Sequence, residues 1–153
     1  MTASRRRPPA APSAARIIKA PAPRTRPALY IRKVPGMGRG VFAGRRYRKG
    51  DVIEVCPVLP IPRGQAGRYS DGLLDRYLFW WPSPAYPTAI ALGYGSIYNH
   101  SFAPNARFTP RPVTNTLVFR AAHDIEPGEQ IFVDYEWPPQ DYHFAAARRR
   151  SRP

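Results

Sequence analysis

The stretch 97-IYNHSFAPNARF-108 sets two amides and an imidazole, Asn99, His100 and Asn105, among the rings of Tyr98, Phe102 and Phe108. A solvent-facing loop would more usually carry charge. Polar side chains beside apolar rings need partners, because a buried polar group left unsatisfied costs on the order of 1–3 kcal/mol. Those partners lie either within the fold or on a ligand, and the stretch alone is compatible with both. A hydrolytic site is disfavoured. Ser101 adjoins His100 directly, so the two cannot meet as nucleophile and base without an unusual backbone, and no third member is placed to complete a triad.

Outward from this stretch the chain reads as short strands punctuated by turns. The run 28-ALYIRKV-34 is β-branched and aromatic ahead of Pro35-Gly36, and 40-GVFA-43 is a short strand. After a turn at Lys49-Gly50, a strand is expected from Asp51 to about Leu59, where Pro57, Pro60 and Pro62 require it to end or to lie at an edge. Ser70 and Asp71 can cap a helix of about two turns carrying Leu73, Leu74, Tyr77 and Leu78 on one face. A strand is expected over 88-TAIAL-92. In 115-NTLVFRAAHDI-125, Leu117 and Phe119 alternate with Val118 and Arg120, the period of a half-buried strand. The order predicts a mainly β chain with one or two short helices, and it disfavours a doubly wound nucleotide-binding sheet.

Two further motifs flank the first. In 36-GMGRGVFA-43 the alternate glycines let the backbone approach a ligand closely, although the spacing is not that of a phosphate-binding loop. In 127-PGEQIFVDYEW-137 a Pro-Gly turn leads into a strand with Ile131 and Val133 on one face and Tyr135 at its end.

The net charge of +14 is unevenly spread. Residues 1–28 carry +7 with no acid, and residues 140–153 carry +3. The intervening 13 bases and 9 acids leave only +4. The expected organisation is a basic Pro/Ala/Arg-rich arm at 1–27, one domain over 28–137 and an aromatic, basic tail at 138–153. Such tails make weak, salt-sensitive contact with nucleic acid or acidic proteins. Cys56 is the single cysteine, which excludes an internal disulfide and a multi-cysteine zinc site, so no metal is expected. Its apolar surroundings read as core. The compartment expected is reducing: cytoplasmic in a bacterial-type protein, nuclear or organellar in a eukaryotic one. No apolar run nears the roughly 18 residues of a membrane span, and the start lacks the apolar segment of a secretory signal.

Taken together and in order, Gly38-Arg39-Gly40 with Val41-Phe42-Ala43, Asn99-His100-Ser101 through Asn105, and Gly128-Glu129 through Asp134-Tyr135 resemble the signature of the SET-domain protein lysine methyltransferases. The resemblance covers about residues 29–137, and compact bacterial or viral members look nearest. It implies a SET fold, β-clip-like, whose C-terminal segment threads beneath an earlier loop as a pseudoknot. It also implies S-adenosyl-L-methionine as methyl donor and a protein or peptide lysine as acceptor.

Carried over by position, the backbone of Met37, Gly38, Arg39 and Gly40, with Asn99 and His100, would hold the donor. Asn105 would fix the loop. Tyr135 would be the catalytic tyrosine. Tyr98, Phe108, Val133 and Trp137 would line the substrate channel, with Tyr142 and Phe144 as further closing rings. Phe108 and Val133 occupy positions that influence how many methyls fit. Asp71, Asp75 and Glu136 would supply acidity to a groove for a cationic peptide. The competing expectation is a catalytically inactive SET-like module that binds nucleic acid or acidic proteins through its Arg-rich tails.

Overall fold

The protein is described by a computed structural model over residues 27–66 and 73–136. The basic terminal segments, apart from Pro27, lie outside the described residues, as do Ser70, Asp71, Gly72, Trp137, Tyr142 and Phe144.

The first two strands, β1 (Leu29–Val34) and β2 (Gly38–Ala43), form an antiparallel hairpin in which Val34 faces Gly38. Its turn needs left-handed backbone at Gly36 (φ 75°) and Gly38 (φ 81°), a region open to glycine at no steric cost. Val41 and Ala43 are fully buried.

The central strand β3 (Val52–Ile61) runs straight through Pro57 and Pro60 instead of ending there. The reason lies in its pairing. Residues 52–57 pair with β8 (Thr116–Ala121), and residues 58–61 pair with β5 (Thr88–Ala91). Each half has one neighbouring strand, so both prolines sit where one side of the backbone is free of a ladder. With β4 (Leu78–Trp80) outside β5 and β7 (Ala106–Arg111) outside β8, the sheet order is β4-β5-β3-β8-β7. Strand β7 was not foreseen; its Pro110 is tolerated because β7 is an edge.

The helix expected to carry Leu73, Leu74, Tyr77 and Leu78 is instead a 3-10 turn over Leu73–Tyr77. Leu78 belongs to β4, opposite Ile90. Pairing with β5 and burial of Phe79 against Phe108 and Phe119 outweigh the helical spacing, and Leu74 and Tyr77 remain exposed. A four-residue helix, α1 (Arg63–Ala66), precedes this segment. In β8 the alternation holds: Leu117, Phe119 and Ala121 are buried, while Arg120 is exposed.

Two short strands bring the motifs together. In β6 (Asn99–His100) and β9 (Phe132–Val133), Asn99 pairs in parallel with Phe132 and His100 with Val133. The late segment is bracketed on both sides. The Ile131 amide donates to the Val41 carbonyl (2.8 Å), and the Ser101 amide donates to that of Val133 (3.0 Å). This is the convergence that the expected threading demands. Asn105 ties the crossing, donating from Nδ2 to the Gln130 carbonyl (2.9 Å) and accepting at Oδ1 from the Phe132 amide (2.8 Å). The core beneath is made of Val41, Tyr47, Cys56, Tyr98, Leu117, Phe119, Ile125, Ile131 and Val133. Burying an aliphatic or aromatic side chain of this size contributes about 1.5–3 kcal/mol.

Candidate active site

Gly40 marks one end of the site. A β-carbon added there would come within 2.6 Å of Gln130 Nε2 and 2.9 Å of Asn99 Nδ2. Both amide nitrogens are buried and lack a hydrogen-bond partner within the protein. Two N–H-bearing groups therefore converge on backbone that has been cleared of a side chain. In a finished fold such groups find acceptors, so their orphaned state fits a polar ligand carrying oxygen or nitrogen acceptors. The amino-acid portion of S-adenosylmethionine has that chemistry. Met37 and Arg39 lie along the adjoining hairpin with exposed side chains.

His100 links this end to Tyr135. The Tyr135 amide donates to His100 Nδ1 (3.2 Å), so that nitrogen is unprotonated and the neutral ring carries its hydrogen on Nε2. Burial lowers the imidazole pKa from its ordinary value, and the nearby Asp134 carboxylate (3.6 Å from Nδ1) opposes that shift. The ring also meets Phe102 edge-on at 4.6 Å and Tyr135 at 5.3 Å between centroids.

Tyr135 turns its hydroxyl the other way, donating to the backbone oxygen of Tyr98 at 2.8 Å. On that side lies a cavity of about 430 Å³, lined among others by Tyr98, Phe108 and Tyr135, with Arg76, Tyr77, Trp80 and Glu136. Phe79 stands edge-on to Phe108 (5.3 Å, 84°) and backs this wall. Tyr135 thus contributes to both regions, with its amide on His100 and its ring in the aromatic cavity.

Val133 does not line the cavity. It is fully buried in the core, because β9 turns it to the same side as Ile131. Trp137 lies outside the described residues, as does Asp71; of the other acids considered for the groove, Glu136 is at the cavity. Among the described residues no three His, Cys, Asp or Glu side chains cluster so as to hold a metal, and no helix is long and apolar enough to cross a membrane.

Several residues here were not anticipated. Gln130 sits inside the GEQIF run and looks like a surface amide of a turn. Trp80 and Tyr77 line the cavity without having been expected there. Behind the cavity wall, Glu54 accepts from the Tyr98 phenol; an acid in the otherwise apolar VIEVCPVLPIP, it is an incongruity that the sequence itself displays.

Comparison with known proteins agrees with this geometry. The SET domain family model matches residues 38–136. The histone-lysine N-methyltransferase, H3 lysine-37 specific, of Schizosaccharomyces pombe is 30% identical over 116 residues, which span 74% of this chain and 76% of the relative. A Plasmodium falciparum protein described as a histone methyltransferase superposes with a TM-score of 0.58 at 28% identity, covering 72% of this chain and 98% of that one. The Neurospora SET domain protein DIM-5, a histone lysine methyltransferase, shares the fold, with a TM-score of 0.55 at 22% identity over 75% of this chain and 55% of its own. With its three motifs gathered at one crossing and the family match running from the β2 hairpin to Glu136, this chain belongs to the SET-domain family.

Proposed function

We propose that the protein is an S-adenosylmethionine-dependent protein-lysine N-methyltransferase. The observation that carries this reading is the placement of Tyr135, whose amide rests on His100 beside Asn99 and whose hydroxyl is held on Tyr98 at the wall of an aromatic cavity. The histone-lysine N-methyltransferase activity that the Schizosaccharomyces pombe relative is named for supports it.

S-adenosylmethionine, when bound, supplies an electrophilic methyl group on a sulfonium. The backbone of Gly38 and Gly40 and the side chain of Asn99 would hold its amino-acid portion, with Met37 and Arg39 contributing backbone and His100 completing the grip. The cavity walls, Tyr98, Phe108 and Tyr135, receive the lysine stem and exclude water. A lysine ammonium titrates near 10.4 in water and cannot attack. Desolvation among rings favours the neutral amine, so no separate general base needs to be encoded. The Tyr135 hydroxyl, with its hydrogen engaged by the Tyr98 carbonyl, turns oxygen lone pairs toward the reacting groups. It orients and stabilises; it does not abstract a proton. Alignment in a narrow, dry channel accounts for much of the acceleration.

The direct test incubates the full chain with methyl-labelled donor and lysine-bearing peptides, histone H3 peptides first, and maps the label by mass spectrometry. Label on a lysine ε-nitrogen, with saturable binding of the donor in calorimetry, is expected. Absence of any heat with S-adenosylmethionine would rule the proposal out.

A further inference from the structure

Glu54 does not belong where it stands unless it has a task. A bulge between Val52 and Glu54 shifts the register of β3 against β8 and aligns Glu54 with the inward-facing Cys56 and Val58. A carboxylate drawn into such surroundings is costly unless its oxygens are hydrogen-bonded. Both are. Oε2 accepts from the Tyr98 phenol at 2.9 Å, and Oε1 accepts from the Tyr94 amide at 3.0 Å.

These two donors flank a single structural unit. Tyr94 immediately precedes, and Tyr98 immediately follows, the 3-10 turn Gly95–Ile97. One carboxylate on the central strand therefore staples both ends of this turn. The turn is seated closely enough to require glycine. A β-carbon at Gly93 (φ 71°) would come 2.6 Å from Glu54 Oε1, and one at Gly95 would come 2.6 Å from Ala91 Cβ and 3.0 Å from Cys56 Sγ. Tyr98 is 1% exposed and packs its ring on Phe119 at 4.6 Å, so neither its phenol nor its backbone has room to drift. Burial and the Glu54 charge push its phenol pKa up, which keeps it a hydrogen donor to the carboxylate at any working pH. The backbone oxygen of this same Tyr98 accepts the Tyr135 hydroxyl.

We propose that Glu54 is a positioning residue for methyl transfer: by fixing both flanks of the Gly95–Ile97 turn it holds the Tyr98 carbonyl that orients the Tyr135 hydroxyl. The inference rests on Tyr135 being the catalytic tyrosine. Glu54 does not itself line the cavity and touches none of the donor-side amides, so its effect reaches the reaction through the Tyr94–Tyr98 segment that it holds.

The test is a double-mutant cycle on the full chain, with Glu54→Gln and Tyr135→Phe, read by kcat for a lysine peptide, by the Kd of S-adenosylmethionine in calorimetry and by thermal unfolding. Glu54→Gln is expected to lower kcat about tenfold or more while the donor Kd stays within about twofold, since a small misplacement of a reacting group is costly and the donor contacts are remote. In the Tyr135→Phe background the same change is expected to be nearly silent, because no hydroxyl remains to orient. Tyr98→Phe, which keeps the ring and removes only the bond to Glu54, should reproduce the loss of kcat and secures the result if Glu54→Gln folds poorly. An undiminished kcat in Glu54→Gln and Tyr98→Phe, or the same fractional loss in both backgrounds, overturns the proposal. Full turnover by Tyr135→Phe itself would instead remove the reading on which it rests.

Discussion

The hydroxyl of Tyr135 donates to the backbone oxygen of Tyr98 over 2.8 Å, joining positions 37 residues apart. That bond commits the one hydrogen of the phenol to a carbonyl, so under the proposed function the hydroxyl acts through its oxygen. Tyr135→Phe removes the acceptor and one hydrogen bond, and keeps the ring that packs against His100. The expected stability loss is about 1 kcal/mol. Turnover should fall about a hundredfold or more, as when one preorganised polar group is withdrawn from a site, with donor affinity retained. Single-turnover methyl transfer alongside thermal unfolding checks this, and an unchanged rate would remove Tyr135 from the catalytic role.

His100 makes the site sensitive to acid. Its Nδ1 can accept from the Tyr135 amide only while unprotonated. In the unfolded chain the imidazole titrates near its ordinary value of 6.5, whereas burial holds it lower in the fold. Between the two values the unfolded chain binds the extra proton, so stability rises with pH through that window and this contribution is complete above about 6.5. Acidification through the lower, folded-state value should weaken donor binding as well, because protonation displaces the Tyr135 amide. Calorimetric Kd values measured from neutral pH to well below 6.5 test it; an affinity that stays flat, or that improves, over the whole range in which the protein remains folded contradicts the assignment.

Gly40→Ala addresses the donor end. The new methyl would stand 2.6 Å from Gln130 Nε2 and 2.9 Å from Asn99 Nδ2. Both are ends of side chains that can swing aside, so the fold should survive with an unfolding cost within about 1–3 kcal/mol, the range for modest overpacking. The displaced amides no longer converge, and S-adenosylmethionine affinity should drop about tenfold or more, a loss of about 1.4 kcal/mol. Wild-type affinity in this variant would mean that the orphaned amides serve some other purpose.

Legibility in the sequence followed the range of the interactions involved. Strands β1, β2 and β8 were readable because alternation and turn residues are local signals, and Leu117 and Phe119 face inward as their spacing demands. Asn99, His100 and Tyr135 could be named as a group only through the joint motif pattern, because what unites them is the β6–β9 pairing, which no local pattern encodes. Leu78 was misread as helical because its spacing from Leu74 is genuine, but a long-range partner, Ile90, outweighs it. The prolines of β3 argued against a central strand, and only the change of partner at Pro57-Val58 explains how one accommodates them. Glu54 was visible as an anomaly, yet its two donors lie 40 and 44 positions downstream.

Cys56 should be chemically silent. It is fully buried, and burial, followed by the charge of Glu54, pushes the thiol pKa up to about 12. The thiolate is the reactive form, so at pH 8 only about one thiol in ten thousand is ionised. The folded protein should resist maleimide or a disulfide reagent over hours and react completely once denatured, and activity should survive the treatment. Rapid labelling of the native protein would show that the β3 core opens far more readily than its packing allows.

The extent of methylation follows from what Phe108 lacks. Its ring lines the cavity, edge-on to Phe79 at 5.3 Å and 6.0 Å from Phe119, and offers no hydrogen-bonding atom to the space beside Tyr135. A hydroxyl at that point could hold a water or restrain the amine in one orientation, which would obstruct a second transfer. With Phe there, a methylated amine can turn and present its lone pair again. Extended incubation with excess donor should therefore carry a lysine peptide past the monomethyl stage, while Phe108→Tyr should shift the product toward monomethyl with the first transfer largely preserved. Mass spectrometry resolves the series directly. Only monomethyl product from the unmodified protein at long times would mean that another part of the channel limits the acceptor.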